Sequence, residues 1–220
     1  MKRALPLLGA WLVACTTGEG TGSVRSDRLV VGHCWDGPFD LEPTFFASAP
    51  FEDSQQIRIQ RGDRLAGASD GLLILVNDVA RIRSEQLGKP IPLGLPIGVT
   101  PPGLPRRVAT DSPQVSLTLY LYDTCHLQNG AVHSVGGTIT FQSLFSGNRN
   151  ENDSQDRLTE AQFEAIVADP REGTPVTAGD GGNAGDGGIT AVEYPEGRTS
   201  TVVGEFRFFF QRGVPAQPFP

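Results

Sequence analysis

Alternation of apolar and polar side chains is clearest in three segments of this 220-residue chain. Residues 115–122 carry valine or leucine at odd positions and serine, threonine or tyrosine at even positions. Residues 57–60 alternate in the same way, and so do residues 202–211, where one face collects Phe206, Phe208 and Phe210. A period of two residues is typical of strands that bury one face. These segments therefore predict half-buried strands.

Six further strands are predicted. Residues 29–34 form a first apolar run, and residues 162–168 alternate, although Thr159-Glu160 resembles a helix start. Residues 72–76 and 79–83 flank Asn77-Asp78, which predicts a hairpin, with a single helix over 70–87 as the alternative. Residues 131–145 predict a second hairpin that turns at Gly136-Gly137.

Three segments predict loops. Residues 36–55 lack a clear period and read as an irregular loop with buried aromatic side chains. Residues 89–113 hold seven prolines, a density that predicts an extended connection. Residues 172–198 form a glycine-rich excursion within a hairpin.

About nine strands without a long helix indicate an all-β fold. We expect an antiparallel β-sandwich or a partly open barrel with long proline-rich and glycine-rich loops. The pattern places one domain at residues 29–220, a size that supports one ordinary core.

The N-terminus has the layout of an export signal. Lys2 and Arg3 precede a short apolar run that ends in Leu12-Val13-Ala14-Cys15. This segment resembles a bacterial lipoprotein signal, whose last residue is the cysteine that receives lipid. A spanning helix needs roughly 20 apolar residues, and about ten are present here; a plain secretory signal remains the alternative.

The resemblance implies a signal peptide at residues 1–14 and acylation of Cys15, including palmitate. Threonine, glycine, serine and charged residues follow at 16–28 and predict a flexible tether over 15–28. Thr16 follows the cysteine where aspartate favours retention in the inner membrane. We therefore expect an outer-membrane lipoprotein of a Gram-negative cell envelope, held to the membrane by its N-terminal acyl chains.

The later half of the chain adds a second resemblance. Gly-Thr-Ile-Thr-Phe at 137–141 and Gly-Glu-Phe-Arg-Phe-Phe-Phe at 204–210 look like stretches in the β-rich domains of myxobacterial lipoproteins. That group carries no assigned activity, so the resemblance implies a β-rich fold and no functional residue.

Charge excludes one class of partner. Removal of residues 1–14 leaves 16 basic and 25 acidic side chains, a formal charge of −9. Such a chain repels polyanions at long range, so we expect no nucleic-acid partner.

Two cysteines remain besides Cys15. In an oxidising compartment, Cys34 and Cys125 are read first as a disulfide. Their neighbours His33 and His126 could complete a tetrahedral zinc site. Adjacent residues of a strand point to opposite faces, which favours the disulfide.

Other candidate sites have simpler explanations. Asp153 and Asp156 in the acidic stretch, and Asp180 and Asp186 in the glycine-rich loop, could offer oxygen ligands to calcium, although solvated loops explain both segments. Gly67-Ala68-Ser69-Asp70-Gly71 spells a nucleophile elbow, with His126 or His133 as possible bases. That pattern has meaning only between a strand and a helix, so we assign no catalytic residue.

These observations favour a non-enzymatic binding or assembly module that needs no cofactor and meets an envelope protein or a glycan. Exposed loops or a sheet edge would make the contacts. The alternative is an envelope hydrolase with a dispersed active site, since paired carboxylates need no local motif.

Overall fold

The computed structural model describes residues 20–62, 69–96, 98–99, 113–126, 130–148, 150–177 and 189–210. Within these ranges about 60% of the residues lie in strands, and almost none lie in helices. The twelve strands are β1 (Gly20–Val31), β2 (Trp35–Leu41), β3 (Phe45–Phe51), β4 (Ser54–Gln60), β5 (Asp70–Val76), β6 (Pro90–Gly94), β7 (Val115–Leu121), β8 (Ala131–Ser143), β9 (Leu158–Ala168), β10 (Thr174–Thr177), β11 (Ile189–Glu193) and β12 (Thr199–Phe209).

Ten of these strands form one sheet in the order β2-β1-β12-β9-β8-β6-β7-β5-β4-β3. The sheet curls into a half-barrel, and β10 pairs with β11 in a separate two-stranded sheet. All pairings are antiparallel except that of β6 with β7. The expectation of an all-β fold with open-barrel character is confirmed, with more strands than the nine expected.

The core fills the inner face of this curled sheet. Phe46 on β3 stacks on Phe208 of β12 with ring centroids 5.6 Å apart, so strands far apart in the sheet order meet across the interior. The alternating segments supply most of this core. Fully buried members with no measurable exposure include Ile57, Ile59, Leu72, Ile74, Leu117, Leu119, Leu121, Ile139, Phe141, Val167 and Val202.

The predicted tether at 15–28 is wrong for its second part. Residues 20–28 belong to β1, which pairs with β12 from Gly20↔Phe208 to Arg25↔Val203. A Cβ at Gly22 would come within 2.8 Å of the backbone oxygen of Glu205, so glycine here permits close strand pairing. The small residues that suggested a linker are what the packing requires. Residues 1–19, with the signal and Cys15, lie outside the described residues.

The predicted loop at 36–55 is also wrong. It contains β2, β3 and the start of β4, and β3 pairs along its whole length with β4. The expected burial of the aromatic residues holds for Phe39, Phe45 and Phe46, which are 7%, 0% and 2% exposed, but is wrong for Phe51, which is 70% exposed. Proline and aspartate obscured the period because β2 and β3 are edge strands, where such residues are tolerated.

Residues 72–83 do not form a hairpin. β5 is confirmed as a strand, but its neighbours are β4 and β7. Asp78 adopts φ 55° and its side chain accepts a hydrogen bond from the Arg81 backbone N–H. This cap begins a short helical segment, α-helical at Val79–Arg81 and π-helical at Ile82–Gln86. The alternative helix over 70–87 is wrong as well.

The predicted hairpin at 131–145 is a single long strand. β8 continues without interruption through Gly136-Gly137. Its register with β9 shifts between Ser134 and Gly136. Gly137 has φ 94°. The glycine pair therefore bends one strand and does not join two.

The proline-rich connection contains a short strand. β6 lies between β7 and β8, with Pro90, Ile91 and Pro92 opposite residues of β8. Leu93 and Leu95 are buried, each at 6% exposure. Residues 97 and 100–112 lie outside the described part.

The remaining strand predictions hold. β4 and β9 contain the strands predicted at 57–60 and 162–168. β7 and β12 begin at or before the predicted starts but end at Leu121 and Phe209, short of the predicted ends at 122 and 211, and residue 211 lies outside the described ranges. β10 and β11 lie within the expected hairpin between β9 and β12, whereas residues 178–188 are outside the described ranges. No helix in the described part of the chain is long and apolar enough to cross a bilayer.

Candidate functional site

A polar concavity lies on the outer face of β1, β12, β9 and β8. Two adjoining depressions of about 460 and 450 Å³ form one open groove there. We call it the outer-face groove. The residues that line it are mostly polar or charged and include Ser23, Arg25, Thr138, Thr140, Glu160, Gln162, Glu164, Val203, Glu205 and Arg207.

Strand register builds this groove in cross-strand rows. One row places Ser23 opposite Glu205 and Glu205 opposite Gln162, with Thr140 next on β8. A second row runs from Arg25 through Val203 and Glu164 to Thr138. Because these residues alternate with the buried ones, each row points away from the core. The backbone ladders hold their Cα atoms rigidly.

Most of the groove's polar groups are free to meet a ligand. Within the described residues, the side chains of Ser23, Thr138, Thr140, Gln162 and Glu205 make no hydrogen bond to the protein. Arg207 Nε donates to Glu160 Oε2 at 3.2 Å, and Arg25 Nε lies 3.8 Å from Asp40 Oδ1. The site thus offers hydroxyl, amide and carboxylate groups in an ordered array.

Apolar surface lies beside these polar groups. Val203 is 43% exposed in the middle of the groove, and Ile166 on the neighbouring strand is 41% exposed. At one end, the Arg207 guanidinium lies 5.6 Å from the centroid of the Phe209 ring. A ligand with both hydroxyl groups and apolar ring faces would match this surface.

Sequence reasoning missed the outer-face groove. Its polar residues occupy the solvent side of strands whose other side was recognised as core, and Ser23 and Arg25 were assigned to the tether. The sequence feature that could have indicated the groove is the set of polar residues that alternate with buried ones, such as Glu205 and Arg207 beside the phenylalanines of β12. Which polar faces become neighbours depends on strand order.

Cys34 and Cys125 meet as expected. Their sulfur atoms lie at disulfide-bonding distance and their Cα atoms are 5.6 Å apart. The pair links the β1–β2 turn to the segment after β7, 91 residues away. Because each sulfur faces the other, neither serves the alternative Cys–His metal site.

A polar depression adjoins this disulfide. His33, Cys34, Asp169, Arg171 and Glu172 line it. Asp169 is 6% exposed and accepts hydrogen bonds from the Arg171 side chain at 2.9 Å and its backbone N–H at 3.0 Å. Burial acts to raise the pKa of Asp169, but the Arg171 hydrogen bonds and charge outweigh it and leave that pKa below its usual value. This carboxylate is already satisfied.

The two described aspartates among those proposed for calcium have other partners. Asp153 accepts a hydrogen bond from the Gln155 backbone N–H at 2.8 Å, while Asp156 pairs with Arg83 at 2.7 Å. Asp180 and Asp186 fall outside the described residues. In the described part of the chain, no group of three or more His, Cys, Asp or Glu side chains is arranged to hold a metal ion.

Ser69 does not occupy a nucleophile elbow. It immediately precedes β5, so the chain passes into a strand and not into a helix. Its hydroxyl donates to the backbone carbonyl of Arg61. His133 instead bonds Thr118, with Nδ1 2.9 Å from Oγ1, and His126 is exposed with φ 48°.

The chain matches no protein-family model, and neither the curated proteins nor the solved structures contain a significant match to it.

Proposed function

We propose that this chain is a lipid-anchored protein of the bacterial cell envelope that binds a glycan without chemically altering it. The observation that carries the proposal is the array of unbonded hydroxyl, amide and carboxylate side chains in the outer-face groove. Sugar hydroxyl groups both donate and accept hydrogen bonds, and these side chains supply both roles.

The balance of polar and apolar surface favours a glycan over a protein partner. Hot spots of protein interfaces are rich in tryptophan, tyrosine and arginine and lie in well-packed, desolvated pockets. The outer-face groove is open and polar, with Val203 as its main exposed apolar side chain. Waters bound to free hydroxyls exchange readily for ligand hydroxyls.

Binding can be tested by cosedimentation of the chain with purified peptidoglycan sacculi and with lipopolysaccharide. We expect the wild-type chain to bind one of them. Gln162→Ala and Glu205→Ala should each weaken binding about tenfold, since one or two ligand hydrogen bonds of about 1.4 kcal/mol in total are lost. The matched control is Thr199→Ala, at an exposed position outside the groove on β12, the strand that carries Glu205.

Equal binding by Gln162→Ala and the wild-type chain would contradict this assignment. The hydrolase alternative has one observation in its favour, since Glu164 and Glu205 both line the groove. Shortening of the glycan by the wild-type chain, abolished in Glu164→Gln or Glu205→Gln, would support that alternative.

The lipid anchor is tested separately. The proposal rests on the charged, apolar and small residues that precede Cys15. We expect mass spectrometry of the mature N-terminus to find acylated Cys15, and Cys15→Ser to release the protein into the aqueous phase. An uncut leader would contradict the anchor and leave the glycan site untouched.

A further inference from the structure

A buried arginine lies on the outer face of the other end of the sheet, away from the strands of the groove. Arg58 on β4 is 7% exposed, and it is surrounded by Phe45, Gln60 and Tyr120, which are 0%, 0% and 7% exposed. We call these four residues the Arg58 cluster. Phe45 and Tyr120 do not belong to the main core cluster.

Alternation along β4 places the cluster on this face. Ile57 and Ile59 point into the core, so Arg58 and Gln60 point outward. Gly71 on β5 pairs with Gln60 on one side and with Tyr120 on the other. A Cβ at Gly71 would lie 2.7 Å from Tyr120 Oη. Glycine therefore lets the tyrosine cross β5 and reach β4.

The hydrogen bonds of the cluster leave donors unused. Arg58 Nε donates to Tyr120 Oη at 3.1 Å, and Tyr120 Oη in turn donates to Gln60 Oε1 at 3.5 Å. Burial raises the pKa of Tyr120, although Arg58 opposes this shift, so the phenol keeps its proton. Gln60 Nε2 is buried without a partner.

The guanidinium also lacks a counter-ion within the described residues. The nearby carboxylate, Asp70, is occupied: it accepts hydrogen bonds from the Asp123 and Thr124 backbone N–H groups, each at 3.0 Å. Among the described residues, the Arg58 side chain has no ion-pair partner, and its one hydrogen bond is that to Tyr120. Buried arginines are rare unless paired, and each buried donor without an acceptor calls for an explanation.

We propose that the Arg58 cluster is a binding site for an oxyanion, the carboxylate or phosphate group of a small molecule. The terminal nitrogens of Arg58 and the free Nε2 of Gln60 are all donors, so only an acceptor group completes the set. The guanidinium fork matches the two oxygens of such a group.

Aromatic rings hold the guanidinium in place for this role. Its central carbon lies 6.0 Å from the Phe45 ring centroid and 5.8 Å from that of Tyr120. The rings restrict the side chain without consuming its N–H groups. A preorganised donor set costs less entropy on binding than a flexible one.

Thermal unfolding of the full chain in chloride, acetate and phosphate at equal ionic strength tests the site. We expect acetate or phosphate to raise the melting temperature saturably, by roughly 5–10 °C at a hundred times its Kd. Comparison of acetate with phosphate distinguishes a carboxylate ligand from a phosphate ligand. Equal melting temperatures in all three salts would overturn the proposal.

Two variants test whether a rise in melting temperature with acetate or phosphate comes from the Arg58 cluster. Arg58→Met should abolish the anion-dependent shift, while Arg81→Met, which removes an exposed arginine outside both sites, should keep it. A shift that persists in Arg58→Met would overturn the assignment.

A second variant decides the matter should Arg58→Met fail to fold. Gln60→Glu supplies a carboxylate within the cluster, so we expect a higher melting temperature in chloride and no further rise with acetate or phosphate. A Gln60→Glu protein that still responds to the anions as the wild type does would also overturn the site. Neither variant alters the outer-face groove, so glycan binding is tested independently.

Discussion

At the residue scale, one buried carboxylate organises the turn that carries Cys125. Asp70 is 2% exposed and accepts hydrogen bonds from the backbone N–H groups of Asp123 and Thr124 and from the Thr124 hydroxyl, the last at 2.5 Å. Cys125 N then bonds the carbonyl of Leu121 at 2.8 Å. Asp70 thus holds the segment after β7 in the position from which the cysteine reaches its partner.

Removal of this carboxylate should be costly. We expect Asp70→Ala to lower the free energy of unfolding by about 3 kcal/mol, because it leaves two N–H groups and a hydroxyl without their acceptor. Asp78→Ala removes an exposed helix cap and should cost about 1 kcal/mol. Urea denaturation of both variants checks the difference, and equal losses would contradict the role of Asp70.

A histidine at the same scale makes stability depend on pH. Burial, aided by Arg171 and opposed by Asp169, lowers the pKa of His133 from 6.5 to about 4. Between these values the unfolded chain binds more protons than the folded chain. The neutral histidine therefore contributes stability that is complete above pH 6.5 and is lost as the pH falls towards 4.

We expect His133→Gln to reduce the acid sensitivity of the fold. Urea unfolding at pH 7.5 and at pH 4 should show a loss for the wild-type chain that is larger by roughly 3 kcal/mol than for the variant. His126→Gln, at an exposed histidine, is the control. A His133 titration midpoint near 6.5 by NMR would contradict the assignment.

At the element scale, β8 is the strand that shapes the sheet. It pairs with β7 from Ala131 to His133 and with β6 from Thr138 to Thr140. Ser134 lies where the two neighbours diverge: its Oγ accepts from the Leu117 N–H at 2.9 Å and donates to the Gly94 carbonyl at 2.6 Å. The Ser134 hydroxyl thus supplies hydrogen bonds at the point where β8 changes its neighbour from β7 to β6 and the backbone pairing is interrupted.

The bend of β8 that follows Ser134 depends on one residue of the Gly136-Gly137 pair. Gly137 has φ 94°, and a Cβ there would collide with the Glu164 carbonyl oxygen, whereas a Cβ at Gly136 meets nothing closer than 3.7 Å. We expect Gly137→Ala to destabilise the protein by about 3 kcal/mol or more. Gly136→Ala should change stability by less than about 1 kcal/mol. Thermal or urea unfolding compares them, and a tolerated Gly137→Ala would show that the bend is relaxed by small shifts.

At the scale of the whole molecule, the disulfide links distant parts of the half-barrel. Cys34 follows β1 and Cys125 follows β7, so the bond closes a loop across 91 residues of sequence. Chain entropy assigns such a closure about 4.6 kcal/mol, with measured values often lower. The cross-link also suits the extracytoplasmic location that we propose.

We expect Cys34→Ser/Cys125→Ser to unfold at a lower urea concentration than the wild-type chain, with a loss of about 2–4.6 kcal/mol. Reductant should destabilise the wild-type chain to a similar extent and leave the double variant unchanged. Intact-mass analysis of alkylated protein checks the bond directly, and two free thiols in the native protein would contradict it.

The sequence by itself determined the all-β class, the strands with strict alternation and the cysteine pair. These are local or combinatorial properties. A period of two determines which side chains share a face, and once Cys15 is assigned to lipid the other two of the three cysteines offer one pairing. It mistook residues 20–28 of β1 for a tether and the bend of β8 for a turn, because glycine and serine suit a flexible linker, a tight turn and a close strand contact equally well.

Only the tertiary structure decided which faces became neighbours. The outer-face groove needs Ser23 beside Glu205 and Glu205 beside Gln162, residues whose spacing along the chain carries no sign of contact. Arg58 reads as the polar half of an alternation, yet the fold buries it beside Tyr120, 62 residues away. Strand order is set by long-range pairing and packing, and a local hydrophobic pattern is compatible with many such orders.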